Sequence, residues 1–327
     1  MSKKLAALCL VVLAPLVAEY LLGNVSTRLL LGLPFLMPMY GGGALLVREV
    51  ARRTGRGWGA ILLLAAAYGL IEAGAFDGSL FNSGFDGLDF GAMFSPTLGF
   101  SPYYVFHFVV GHAIWSISVP IAMVEALFPA RRTTPWLGPV GLSAAAVAYV
   151  LGGLLILSDS RHTGNFHTSP AQLAGVLVVA LVLVTLGLAV RRRPRPVDRP
   201  VPRPLVVGVL AFVATSVVFA SPESWTGLAV AATVLCGSFF AVVLASARPS
   251  WTPLHTVGLA AGALLTYAWG GFVVLDQHGW TSPFDIAGNL VLSAGAVLLI
   301  VVATRRTGRF GLQSAYGSAG SCPYTSS

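Results

Sequence analysis

The sequence predicts an all-α, polytopic transmembrane helical bundle of about ten membrane-spanning helices with both termini cytoplasmic, and three observations predict it. Of 327 residues, 56% are hydrophobic and 10% charged, with a mean hydropathy of +0.80, so most of the chain has lipid as its solvent. Apolar runs of about 16 to 27 residues recur along the whole chain, most of them long enough to cross a hydrocarbon core of roughly 30 Å. Of 20 Lys and Arg residues, 18 fall on one side of an alternating topology, which places that side in the cytoplasm and leaves only Arg28 and Arg161 outside. Backbone groups in lipid must be satisfied within the chain, so the spanning segments are helices.

The first run, 5 to 22, follows Ser2, Lys3 and Lys4. A stretch closing at Val17-Ala18 also has the form of a signal peptide, but the apolar run continues through Tyr20, Leu21 and Leu22, which favours a retained helix. The run from 29 to 47 contains Pro34, Pro38 and Gly41-Gly42-Gly43, a break in the helix, and ends on a basic anchor with a local Glu49–Arg53 pair. The run from 58 to 76 carries Glu72, and that from 102 to 128 carries His107 and His112. The runs from 137 to 158 and 171 to 190 hold no ionisable group. Those from 205 to 220, 226 to 246, 254 to 274 and 285 to 303 hold His255 near a helix end and almost nothing ionisable deeper.

This divides the chain into a six-helix membrane region (1–190) that carries the polar intramembrane residues, an Arg/Pro linker (191–204), a four-helix membrane region (205–303) and a tail (304–327). Alternating prolines make the linker extended and cytoplasmic, and the Ser, Gly and Thr of the tail predict disorder. The two halves match poorly as inverted repeats: the second run is broken by prolines, whereas its counterpart from 205 to 220 has none and only Gly208.

A basic balance in a soluble chain would point to nucleic acid. Here topology explains it, with the lipid bilayer as partner and anionic lipid at the cytoplasmic face, and no nucleic-acid partner is expected. Cys9, Cys236 and Cys322 offer neither a C-x-x-C pair nor a disulfide framework. No phosphate-binding G-x-x-x-x-G-K-[ST] loop occurs, so direct ATP hydrolysis is not expected, and no cofactor is assigned. Composition leaves the oligomeric state open.

Glu72, His107 and Glu19 lie about 6–7 Å below the outer ends of three different helices, at 1.5 Å per residue. Ionisable groups at such depth are costly unless paired or facing a cavity, so they form the candidate ligand-binding cluster. Snorkelling to the interface, or a purely structural Glu72–histidine pair, is the bland alternative. His112 sits deeper, with Ser116 at i+4 on the same face, and is expected to be neutral there and to bond Ser116 or a neighbouring helix. His107 and His112 are five residues apart, about 140° around a helix, so both point at one ligand only if the helix is distorted. The loop from Asp77 to Ser101 interleaves Asp77, Asp86 and Asp89 with phenylalanines. It either folds back as an acidic lid over Glu72 and His107 or, as is commoner for outer loops, lays its aromatics in the headgroup region.

The stretches Tyr40–Arg53, Tyr68–Glu72 and His112–Ile117 resemble uncharacterised bacterial multi-pass membrane proteins, which implies a bacterial plasma (inner) membrane location and brings no activity. A more distant resemblance is to the CAAX-protease and bacteriocin-processing family, with signatures E-E-x-x-x-R, F-x-x-x-H and H-x-x-x-N. Phe108 to His112 fits the second, and Glu72 looks like one carboxylate of the first. Ala73 stands where the second Glu would be, Asp77 where the Arg would be, and His255 is followed four places on by Leu259 rather than Asn.

The leading expectation is a non-enzymatic, transport-type or ligand- or ion-binding role for a small molecule or ion at an outward-facing polar site. In it Glu72 and His107 exchange protons or hold a cation while Glu19 and His112 support them. The alternatives are a divergent intramembrane metalloprotease with Glu72 as general base and His112 as its partner, or a structural membrane subunit.

Overall fold

The computed structural model describes residues 2–91, 93–163, 166–190 and 200–319, without the side chains of 86, 163 and 314–319. Ten apolar helices follow one another: α1 Lys3–Leu21, α2 Thr27–Arg53, α3 Trp58–Phe76, α4 Pro102–Leu127, α5 Pro139–Thr163, α6 Pro170–Ala189, α7 Pro204–Phe219, α8 Trp225–Ser246, α9 Pro253–Gln277 and α10 Pro283–Ala319. The protein is an all-α polytopic membrane bundle. Among the described residues there is no strand, only an isolated bridge between Ser95 and Phe100.

Nine of these helices have the length and apolarity to cross a membrane, and α7, with 16 residues, is shorter. It nonetheless lies alongside α9 and in the same direction. His255 Nε2 meets the Pro202 carbonyl at 3.0 Å at one end, Thr215 bonds Thr266 at 2.7 Å, and Trp269 donates to Ser216 at 3.0 Å further along. A 16-residue helix spans about 24 Å, so α7 accompanies α9 through most of a hydrocarbon core. His255, buried, serves as a cap: its Nδ1 accepts from the Thr252 N–H at 2.9 Å.

Helix ends gather as an alternating topology requires. At one end Arg56 donates to the carbonyl of Val190, Arg306 to Leu127, and Arg53 to Leu137, joining α2–α3 to the end of α6, α10 to α4, and α2 to the start of α5. At the other, Arg28 and Ser26 hold Asp285 at the start of α10, at 3.1 and 2.6 Å.

Three apolar clusters make the core. One joins α1 through α4 and the start of α5, a second joins the ends of α1 and α4 to α9 and α10, and a third joins α3 to α6. α1 and α4 belong to the first two and are the axis of the molecule. α9 is interior, with 61% of its apolar window buried, whereas α8, at 6%, stands at the periphery.

One expectation changes: α10 continues to Ala319, past the end expected at 303, and just beyond 303 it still meets α4, where Thr307 is buried and donates to the Ala126 carbonyl at 3.3 Å. The remainder of the expected disordered tail, 320–327, lies outside the described residues, as do 191–199 of the linker.

Candidate functional site

Each of the first four helices contains one π-helical turn: Leu16–Leu21 in α1, Met37–Gly41 in α2, Glu72–Phe76 in α3 and His112–Ser118 in α4. Such turns are rare and frequently mark functional sites, since widening the helix by one residue sacrifices regular i→i−4 bonds. Their causes are local. Pro15 precedes the first, Pro38 lies in the second and Pro120 follows the fourth. A proline removes one backbone donor and presses on the carbonyl four residues back. The third has Gly69 before it and Gly74 within it.

Each turn carries one member of a single polar cluster: Glu19, Tyr40, Glu72 and His112. The Tyr40 hydroxyl donates a short hydrogen bond to Glu19 Oε1 and lies 3.3 Å from Glu72 Oε1. Asn24 donates to Glu19 Oε2 at 3.2 Å. Glu72, 2% exposed, brings Oε2 to 2.6 Å from His112 Nε2, out of line with the ring N–H direction, so this oxygen has a charge contact but no linear hydrogen bond. His112 Nδ1 is 2.7 Å from the Phe108 carbonyl, which can only accept, so Nδ1 carries the hydrogen. One proton then serves the Nε2···Oε2 contact, as imidazolium with carboxylate or as imidazole with carboxylic acid.

Close backbone approach assembles the cluster. A Cβ on Gly69 would stand 2.6 Å from the His112 Cβ, so glycine there lets α3 and α4 meet beside Glu72. A Cβ on Gly41 would stand 2.7 Å from the Val11 backbone, so α1 and α2 meet beside Tyr40.

The cluster lines a cavity of about 670 Å³ together with Asn24, Asp77, Asn82, Asp159, Phe108 and Tyr267. Four carboxylates line it and no lysine or arginine does. Asp77, half-buried, accepts from the Ser79 N–H at 2.8 Å. Burial first, and then the Glu72 carboxylate, push its carboxyl well above the usual carboxylate range, with His112 and the Ser79 bonds opposing. A raised folded-state value means that stability present at acid pH is lost as pH rises through that value. Asp77→Asn, which keeps the neutral shape, is therefore expected to raise Tm at pH 8 by roughly 2–4 °C, the scale of 1 kcal/mol, and to leave it unchanged near pH 4. A shift of equal size at both pH values would show that Asp77 is ordinary.

All four sequence candidates line this cavity, but their pairing differs from expectation. His107 does not face Glu72. Its ring stacks on Tyr103 at 4.0 Å, Nδ1 meets the Tyr103 carbonyl at 2.9 Å, and Nε2 meets the Val218 carbonyl and Ser221 Oγ at 3.1 Å, which fastens α4 to α7. His112 takes its place: it stands about 140° around α4 from His107, so the helix that turns His107 toward α7 turns His112 toward Glu72 on α3. Its Nδ1 goes to Phe108 rather than to Ser116, and Ser116 is buried at the cavity wall. Glu72 lies four residues inside Phe76, the outer end of α3, and α3 stops there under a loop whose Ser79, Leu80 and Ser101 are buried. Counted instead from the Arg-rich end, Glu19, Tyr40, Glu72 and His112 all lie about 13 to 16 residues along, roughly 20–24 Å. The loop also departs from a headgroup arrangement: Phe90 packs on Tyr104 at 4.6 Å and on Phe108 at 5.5 Å, and Asn82 and Phe85 line the cavity, so the segment covers the site.

A second polar group, at the Arg-rich end, exceeds the local anchor expected there. Arg48 and Glu49 are wholly buried. Arg48 pairs with Glu49 at 2.7 Å and with Glu125 at 3.1 Å, donates to the carbonyls of Arg131, Arg132 and Thr134, and lies 3.3 Å over the Trp136 ring. Arg52 joins Glu125 at 2.6 Å, and Glu49 accepts from the N–H groups of Trp136 and Leu137 at 2.8 and 3.2 Å. The expected Glu49–Arg53 contact is present at 3.4 Å as its outermost member.

Among the described residues, no three His, Cys, Asp or Glu side chains converge in a metal-ligating arrangement. No curated protein and no solved structure matches the chain, and the resemblance to CAAX-processing proteases gains no support. A model described as an uncharacterized membrane protein family matches residues 8–316, nearly the whole chain, and the protein belongs to that family of multi-pass membrane proteins.

Proposed function

We propose that the protein binds a small cationic solute in an outward-facing cavity and exchanges it against the proton held between Glu72 and His112, a transport-type role in a bacterial plasma membrane. The observation that carries this reading is the coincidence of four π-helical turns with the four members of one buried, acid-rich cluster. Six further helices share the membrane and have no such turn among their described residues. Outward orientation rests on the Arg-rich end lying in the cytoplasm.

A cation entering beside Glu72 supplies the positive charge that the proton supplies in the empty site, so the proton leaves. Glu72 is faced by Glu19 from α1, Tyr40 from α2, His112 from α4 and Tyr149 from α5, with Tyr68 and Asp77 on either side of it in its own segment. Tyr40 bridges the two carboxylates and gives the proton a path between them.

The test is proton movement in liposomes that contain the purified protein and a trapped pH dye. Adding sodium, magnesium and alkylammonium salts in turn outside is expected to alkalinise the lumen for at least one cation, as the cation enters and a proton leaves, and Glu72→Gln and His112→Ala should each abolish that response. Silence of the wild type toward every cation, or a Glu72-dependent peptide product in a cleavage screen, overturns the reading.

A further inference from the structure

The cavity discriminates among cations by size, by wall and by the geometry of its acceptors. Its volume of about 670 Å³ far exceeds an ion with a first shell of water, since seven waters at about 30 Å³ each occupy roughly 200 Å³. It falls in the range of sites for small organic ligands, roughly 300–1,000 Å³. Carboxylates face one part of it, while Leu36, Met39, Phe85, Phe108, Ile156 and Tyr267 supply apolar and aromatic surface. An inorganic ion leaves that surface unused, and an anion meets four carboxylates with no lysine or arginine in the wall.

The acceptors distinguish between kinds of organic cation. Glu72 is almost fully buried, yet Oε2 has no in-line hydrogen-bond donor. Glu19, on the adjoining helix, is held in place by Tyr40 and Asn24. Two carboxylates joined by one tyrosine present several acceptor oxygens and a single hydroxyl hydrogen between them. Charge-assisted N–H donors satisfy such a set, and a quaternary ammonium, with none, does not.

Resting on the cation-exchange reading above, we infer that the solute is a small organic primary ammonium ion, its N–H groups taken by Glu19 and Glu72 and its carbon body lying against Phe108 and Tyr267. Nitrogen replaces the shared proton at the Glu72–His112 contact, so one charge enters as one leaves. The aromatic rings add attraction for the cation through their faces. The loop carrying Asn82 and Phe85 closes over the carbon body and sets the length of chain that the site accepts.

The experiment is calorimetric titration of the full-length protein in detergent at pH 6, 7 and 8 with n-butylammonium, tetramethylammonium, magnesium and sodium chlorides and with n-butanol. The expected result is saturable binding of n-butylammonium, tightening up to tenfold per pH unit, with tetramethylammonium at least tenfold weaker and n-butanol silent. Glu72→Gln should weaken n-butylammonium at least tenfold, and Glu19→Gln serves the same comparison if the first variant elutes aggregated on size exclusion. Equal binding of tetramethylammonium overturns the N–H assignment. Glu72-dependent binding of sodium or magnesium without n-butylammonium overturns the organic ligand and leaves the cation-exchange reading standing. No Glu72-dependent binding of any cation overturns both.

Discussion

Replacing Arg48 with alanine is expected to destabilise the protein by about 3–5 kcal/mol, the cost of removing one partner from a buried ion network. Arg48 is wholly buried and connects α2, α4 and the segment after α4: two carboxylates, three carbonyls and the face of Trp136 converge on one guanidinium. Removing it leaves Glu49 with Arg53 and two backbone N–H groups, and Glu125 with Arg52. Arg48→Lys is expected to recover little, because an ammonium is a compact charge without the planar fork that reaches both carboxylates and the carbonyls together. Unfolding in mixed micelles of increasing SDS measures the effect against exposed Arg309→Ala, expected within about 0.5 kcal/mol of the wild type. Equal losses for Arg48 and Arg309 would refute the network's structural role.

A double-mutant cycle on Glu72 and His112 should show a coupling of about 0.5–3 kcal/mol, because the two share one contact in a low-dielectric region. Each single change strands its partner: Glu72→Ala leaves His112 Nε2 facing no acceptor, and His112→Ala leaves the Glu72 carboxyl its contact with Tyr40 alone. The pair Glu72→Ala with His107→Ala should be additive within roughly 0.5 kcal/mol, since His107 bonds to Tyr103, Val218 and Ser221 and shares no partner with Glu72. Coupling at His107 and none at His112 would mean that the π-turn at His112 is misplaced and that the site is built otherwise.

Much of the site is written in local signals. Ionisable residues inside apolar runs mark Glu19, Glu72, His107 and His112, because charge in lipid needs a reason. Pro15, Pro38 and Pro120 mark three of the four π-turns, since a missing N–H disrupts a helix wherever it falls. Levels across helices are readable too, once counted from the basic ends, which lie at a common interface, rather than from acidic-side ends that stop at different heights. Tyr40 escaped notice because a tyrosine in an apolar run is ordinary; only its position in the break at Pro38 set it apart. Glu125 lies near the end of the run from 102 to 128, and hydropathy, which weighs it by its neighbours, gives no sign that Arg48 and Arg52 stand opposite.

Sequence by itself determined the class of this protein. Lipid admits only internally bonded segments, so composition and run length sufficed for an all-α membrane bundle, and the division of Arg between alternate loops sufficed for an expected orientation. Tertiary structure alone decided the partners. His107 and His112 stand about 140° apart around α4, so only the packing of that helix against α3 and α7 decides which of them meets Glu72. Glycines at 41 and 69 let backbones approach closely enough for four side chains from four helices to share one cavity. Such contacts depend on which faces meet across long separations in the chain, and neither hydropathy nor spacing within one helix contains that information.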